Sequence, residues 1–113
     1  MRYFTGTLLL LTLALGSASA QTATGSIHGT VRDSTGAVAP GVTLTLTDQG
    51  TNQSRQQAAG ADGNFEFRAV PRGVYTLAAE HAGFKKEIIT DITLQVAQTH
   101  RVEVALQVGA VTE

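Results

Sequence analysis

The chain has 113 residues, a net charge of −1, and neither cysteine nor tryptophan. That length holds one domain with a modest core, and the missing cysteines exclude a disulfide framework and any thiolate metal site. Both signs of charge are spread along the sequence, so the basic stripe of a nucleic-acid binder is absent and no nucleic-acid partner is expected.

Residues 1–20 read as an export signal. Met1-Arg2 supplies a positive start, Leu8 to Leu15 is apolar except for Thr12, and Ala18-Ser19-Ala20 has the small-x-small pattern of a cleavage site. The apolar run is shorter than the about 20 residues a bilayer core requires. The mature chain is therefore expected to begin at Gln21, to hold no membrane-spanning segment, and to reside in the periplasm, at the outer membrane or outside the cell. Residues 21–24 form a polar lead-in to one domain over 25–108, and 109–113 a short tail.

From Ile27 to Arg32, apolar Ile27, Gly29 and Val31 alternate with His28, Thr30 and Arg32, the period of a strand with one buried face. Asp33-Ser34-Thr35-Gly36 signals a turn, and Pro40-Gly41 a second bend. Val42 to Thr47 then alternates without a fault, apolar residues inward and three threonines outward. A helix would mix those threonines with the leucines around its circumference.

A turn at Asp48–Asn52 leads into Gln53–Ala59, a weak polar strand expected at a sheet edge. Asp62-Gly63 then reads as the tip of a hairpin that sets Ala58 and Gly60 opposite Phe65 and Phe67. Pro71 lacks an amide hydrogen and ends that ladder. Gly73 lets the backbone reverse into Val74–Glu80, with Tyr75, Leu77 and Ala79 on one face. Ala82-Gly83-Phe84 turns again, and Phe84 is expected to plug one end of the core. Lys86–Ile92 is irregular because Ile88-Ile89 breaks the alternation. Val102, Val104, Leu106 and Val108 share the buried face of a last strand. Seven strands and no amphipathic helix predict an all-β, seven-stranded antiparallel sandwich.

Chemistry is sparse. His28 and His100 read as outward strand positions and His81 as a turn neighbour, with no His-x-x-x-His pair. Asp33, Asp48, Asp62 and Asp91 each fall near a turn, where the side chain bonds the backbone two residues on. No Asp-x-Asp-x-Asp ladder, Gly-x-Ser-x-Gly elbow or phosphate-cradling loop occurs. Tyr75 is the one tyrosine after the leader and points inward, so no aromatic platform for sugar stacking is expected. No catalytic residue, cofactor or metal is predicted. The positive candidate is the edge at Gln53, Arg55, Gln56 and Gln57, whose free amide and carbonyl groups can accept a partner strand.

Taken together, Gly25 to Asp33, Gly36, Pro40-Gly41, Asp62-Gly63-Asn64-Phe65-Glu66-Phe67, Val70-Pro71-Arg72-Gly73-Val74-Tyr75 and Ala82-Gly83-Phe84 resemble the carboxypeptidase regulatory-like domain. The resemblance implies a transthyretin-like (prealbumin-like) sandwich, classed with carbohydrate-binding-like folds. Such domains sit beside the catalytic domains of metallocarboxypeptidases and at the N-terminus of TonB-dependent outer-membrane receptors. An export signal followed at once by this domain is most similar to the receptor arrangement, although the barrel and the carboxypeptidase zinc motif are absent. The chain thus reads as the accessory module, stand-alone or a fragment, with an envelope protein as partner and carbohydrate as the alternative ligand.

Three rivals fail on residues. Ile27-His28-Gly29 resembles a hydroxyisourate hydrolase, but the Tyr-Arg-Gly-Ser ending of that family is replaced by Val-Thr-Glu. A Cna-B-type adhesin module needs a lysine on its first strand for an isopeptide crosslink, and the lysines here are Lys85 and Lys86. A starch-binding module would want exposed Trp or Tyr.

Overall fold

A computed structural model describes residues 23–109; the expected export signal and nearly all of the expected tail lie outside the described residues. The strands are β1 (Thr24–Asp33), β2 (Thr43–Asp48), β3 (Ser54–Ala58), β4 (Asn64–Pro71), β5 (Gly73–Glu80), β6 (Glu87–Leu94) and β7 (Thr99–Leu106). Two sheets, β4-β1-β7 and β3-β2-β5-β6, stack into a sandwich.

Alternation builds the core. Ile27, Val31, Leu44, Leu46, Leu77, Ala79, Val102, Val104 and Leu106 are all buried between the sheets, as the period of two requires. Each large aliphatic side chain contributes about 1.5–3 kcal/mol on burial. Phe65 and Phe67 join them edge to face, with ring centroids 6.2 Å apart. Phe84 is half-buried and packs against the margin of this cluster.

One pairing departs from the antiparallel rule: β1 and β7 run parallel. Alternation is the same for either direction, so the first and last strands carried no mark of it. The expected β3–β4 hairpin does not form. β3 pairs with β2, whereas β4 pairs with β1 in the other sheet, so Asp62-Gly63 turns a crossover between sheets. Turn chemistry is indifferent to that distinction. Gly63 sits at φ 77, and its carbonyl accepts the Val31 amide at 2.8 Å. Opposite Phe65 stands Gly29, not Ala58 or Gly60, and opposite Phe67 stands Ile27. Gly29 is required by proximity: a methyl there would lie 1.7 Å from the Val102 carbonyl oxygen.

Two bulges explain irregular stretches. β6 has an extra residue between Ile92, opposite Tyr75, and Ile89, opposite Leu77, with Asp91 at φ 59. The insertion lets both isoleucines turn toward the core although they are three positions apart, and leaves Ile88 outside. Asp91 is thus a bulge residue and not a turn residue. In β4 the extra residue falls at Arg68-Ala69, with Ala69 at φ 51.

Three further positions differ from expectation. Thr30 is buried despite its outward parity, its hydroxyl donating to Asn64 Oδ1 at 2.7 Å. His100 stands beside buried Ile27, on the inward parity of β7, half-buried near Gln98. Val108 lies beyond the end of β7, where the chain bridges to Phe84, and is 68% exposed.

Candidate functional site

Most residues singled out by sequence hold the scaffold. Asp33 Oδ1 accepts the Thr35 amide and hydroxyl and the Ala37 amide, at 2.8, 2.6 and 3.1 Å. These bonds, the Thr35 hydroxyl foremost, hold its carboxyl below the usual carboxylate range. Asp62 is lowered likewise, chiefly by the Asn64 amide. Gly36, Gly41 and Gly83 occupy left-handed conformations at their turns, with Pro40 preceding Gly41. At the corner between the sheets, Pro71 ends β4 and Gly73 opens β5. The Tyr75 hydroxyl donates back to the Pro71 carbonyl at 2.5 Å, a tyrosine corner that pins the crossover. Burial, then the Asp48 carboxylate, pushes the Tyr75 phenol up.

The two outer faces differ in charge. On the three-stranded sheet, His28 stands in register with Glu66 on one side and Arg101 on the other. Arg68–Glu66 and Arg101–Glu103 ion pairs, at 3.1 and 2.6 Å, cover the flanks. On the four-stranded sheet, Gln56–Thr45–Ala78–Ile88 and Ser54–Thr47–Thr76 run across the strands without a charge. A Lys86–Glu80 pair lies at the end of that face. Among the described residues, no group of three or more His, Cys, Asp and Glu converges on a point fit for a metal ion. A shallow surface hollow of 630 Å³ holds His28, Glu66 and Arg101 among its walls.

Strand edges are where backbone groups are free. Asp48 N–H donates to Gln53 O, and Ala59 N–H to Val42 O, both at 2.8 Å. Hydrogen-bonded pairs recur at every second residue of an antiparallel ladder. Arg55 opposite Leu46 and Gln57 opposite Leu44 therefore bond to β2, with Gln53. The intervening Ser54, Gln56 and Ala58 turn their amides and carbonyls away from the sheet. Gln56, a predicted edge residue, is thus the centre of the free row. Ser54 and Ala58 were missed by sequence reasoning, and their parity against Leu44 and Leu46 is the signal that finds them.

Arg55 is engaged within the fold. Its guanidinium crosses the open side of the sandwich and donates to the carbonyls of Arg68 and Ala69, at 2.6 and 2.8 Å. Those are the carbonyls freed by the β4 bulge. Asn64, further along β4, has its carbonyl taken by the Gly60 amide and its own amide bonded to Asp62. The β4 edge is thereby bonded at both ends, with the Arg68–Glu66 ion pair between them, and β6 is bent by its own bulge. β7 carries exposed Arg101 and Glu103, and its C-terminal end is covered where Lys85 N–H donates to Gln107 O. Among the described residues, β3 is the edge that has neither a bulge nor charged side chains on its outward positions, the devices that keep edges from pairing.

The fold and this edge define a small β-sandwich module built on turn scaffolding. The carboxypeptidase regulatory-like domain model matches residues 26–107, and the chain belongs to that family. No curated protein sequence matches the chain. Among solved structures, it is similar to catechol 1,2-dioxygenase from Acinetobacter (TM-score 0.64, 10% identity, 83% of this chain and 55% of that one). It is similar also to a minor pilin of Streptococcus agalactiae (0.61, 12%, 80% and 47%). A third is a "putative carbohydrate binding protein" from Bacteroides uniformis (0.60, 18%, 73% and 40%). The chain spans about half the length of these structures or less, and at such identities the likeness is one of fold.

Proposed function

We propose that the chain is an exported, non-catalytic accessory module of the cell envelope that docks another protein by taking up a strand along β3. The observation that carries this reading is the row of outward amides and carbonyls at Ser54, Gln56 and Ala58, on the one edge without a guard. Backbone hydrogen bonds supply affinity in such augmentation. The resemblance to the N-terminal module of TonB-dependent receptors supports an outer-membrane or periplasmic setting, with cleavage after Ala20. Mass spectrometry of the envelope fraction should find Gln21 as the first residue, and an intact Met1 on cytoplasmic protein contradicts export.

Gln56→Pro tests the docking edge. It deletes an amide that faces away from β2, so the ladder to β2 survives while partner capture falls. Pull-downs from envelope extract, with a denaturant melt to confirm folding, should recover less partner with the variant. Equal recovery sinks this use of the edge.

Carbohydrate binding is the second reading, supported by the Bacteroides likeness. Against it, Phe65, Phe67 and Tyr75 are each only 4% exposed and offer no ring face to a sugar. Tight binding on a glycan array would reverse that preference.

A further inference from the structure

We infer that the occupant of the β3 edge, in the isolated protein, is the β3 edge of a second copy, paired antiparallel about a two-fold axis at Gln56. The inference rests on the edge reading above and names its partner.

The register follows from the free row. An antiparallel pair about a two-fold axis sets residue against residue symmetrically, and centring on Gln56 sets Ser54 against Ala58. Each of these is a hydrogen-bonded pair that exchanges two bonds, giving about six backbone hydrogen bonds in all. The two four-stranded sheets become one continuous sheet. On its outer face the new contacts are Gln56 with Gln56 and Ser54 with Ala58, so no charges meet. On the inner side Arg55 stands opposite Gln57, not opposite another Arg55. A two-fold axis centred on Arg55 would oppose two like charges and pair only Ser54 with Gln56, giving about four backbone hydrogen bonds in place of six, so the sequence selects against it. Gln57 adds an independent observation. Its Oε1 is buried with no hydrogen-bond partner, and this register brings alongside it the second copy's Arg55, whose Nε–H is not used by the bonds to the Arg68 and Ala69 carbonyls. A buried acceptor without a donor is costly.

The absence of cysteine makes the register directly testable. Across a hydrogen-bonded pair the Cα atoms lie about 5.5 Å apart, within the span of about 4.4–6.8 Å that a disulfide bridges. In the full chain expressed from Met1, Gln56→Cys should form a covalent dimer under mild oxidation. Ser54→Cys should form several-fold less, because two copies of that residue stand about 13 Å apart along the strands. The double variant Ser54→Cys with Ala58→Cys should restore the dimer. Without oxidant, sedimentation of the wild type should show a concentration-dependent dimer that Arg55→Met and Gln56→Pro both weaken.

A wild type that sediments as a monomer at every concentration, or equal crosslinking at Gln56→Cys and Ser54→Cys, overturns the two-fold pairing. That result leaves capture of another protein standing, since the pull-down decides it separately. Conversely, crosslinking at Gln56→Cys with unchanged envelope recovery by Gln56→Pro supports the homodimer and removes the envelope partner.

Discussion

The guanidinium of Arg55, on β3, donates to the carbonyl of Ala69, the positive-φ residue of the β4 bulge, at 2.8 Å. One side chain thus ties together the edges of both sheets. Its second bond, to Arg68 O at 2.6 Å, gives the contact a fork that lysine cannot copy. Arg55→Lys is expected to cost about 1 kcal/mol, below the usual range for a charged hydrogen bond because the site is exposed. Amide exchange should quicken at β3 and around Arg68 while the β5 core stays protected. Unchanged exchange at both edges would show that the fork stabilises neither.

Phe67 is 4% exposed and meets Phe65 edge to face. Phe67→Ala should cost about 3–5 kcal/mol, a large share of the stability available to a domain this small. Denaturant melts losing under about 1 kcal/mol would show that the two rings are not one packing unit.

β2 and β5 were legible because each buries one face, and alternation reports burial directly. Alternation does not report strand direction or neighbour. The parallel β1–β7 pair was invisible for that reason, and Asp62-Gly63 was misread as a hairpin tip. β6 looked irregular because a bulge at Asp91 shifts the period by one residue midway. The edge at Gln53–Ala59 was legible from its polarity. Which of its amides are free depends on the register with β2, and only pairing partners supply that. Arg55 was read as part of the free edge, because a local pattern cannot reveal a side chain reaching across to another sheet.

Tyr75 gives an alkaline signature. Its folded phenol is raised, by burial first and the Asp48 carboxylate second, so the neutral form is the stabilised one. The contribution is whole below the unfolded value of about 10 and is lost as pH rises through the higher folded value. Tyr75→Phe should be less stable at neutral pH, lacking the bond to Pro71 O, and should show a flatter decline above about pH 10. Parallel declines for the two proteins would assign alkaline unfolding to another group.

Asp33 and Asp62 act at the other end of the scale. Both carboxyls are lowered, Asp33 by the Thr35 hydroxyl foremost and Asp62 by the Asn64 amide. Their stabilisation is present above the unfolded value of about 3.9 and disappears as pH falls through the lower folded values. Unfolding midpoints should drop below about pH 4, and Asp33→Asn should shallow that drop while destabilising the Asp33–Gly36 turn at neutral pH. An identical acid slope in the variant would remove Asp33 from the account.

Gly29→Ala is the sharpest test of the sandwich as built. Gly29 faces Phe65 on β4 and, in the parallel pair, Val102 on β7. An added methyl would lie 1.7 Å from the Val102 carbonyl oxygen and 3.0 Å from Phe65 Cζ. The ring can yield a few tenths of an ångström, but the carbonyl belongs to the ladder that holds β7 to β1. Relief therefore requires the parallel pair to part locally, at a cost of about 1–3 kcal/mol or more by comparison with overpacked cores. Gly50→Ala, at an exposed turn whose nearest neighbour is the Asp48 side chain at 3.3 Å, serves as the matched control and should be nearly neutral. Amide exchange should locate the Gly29→Ala damage at Val102 and its neighbours on β7. If both variants melt together with the wild type, β7 does not lie against Gly29, and the parallel pairing of the first and last strands is wrong.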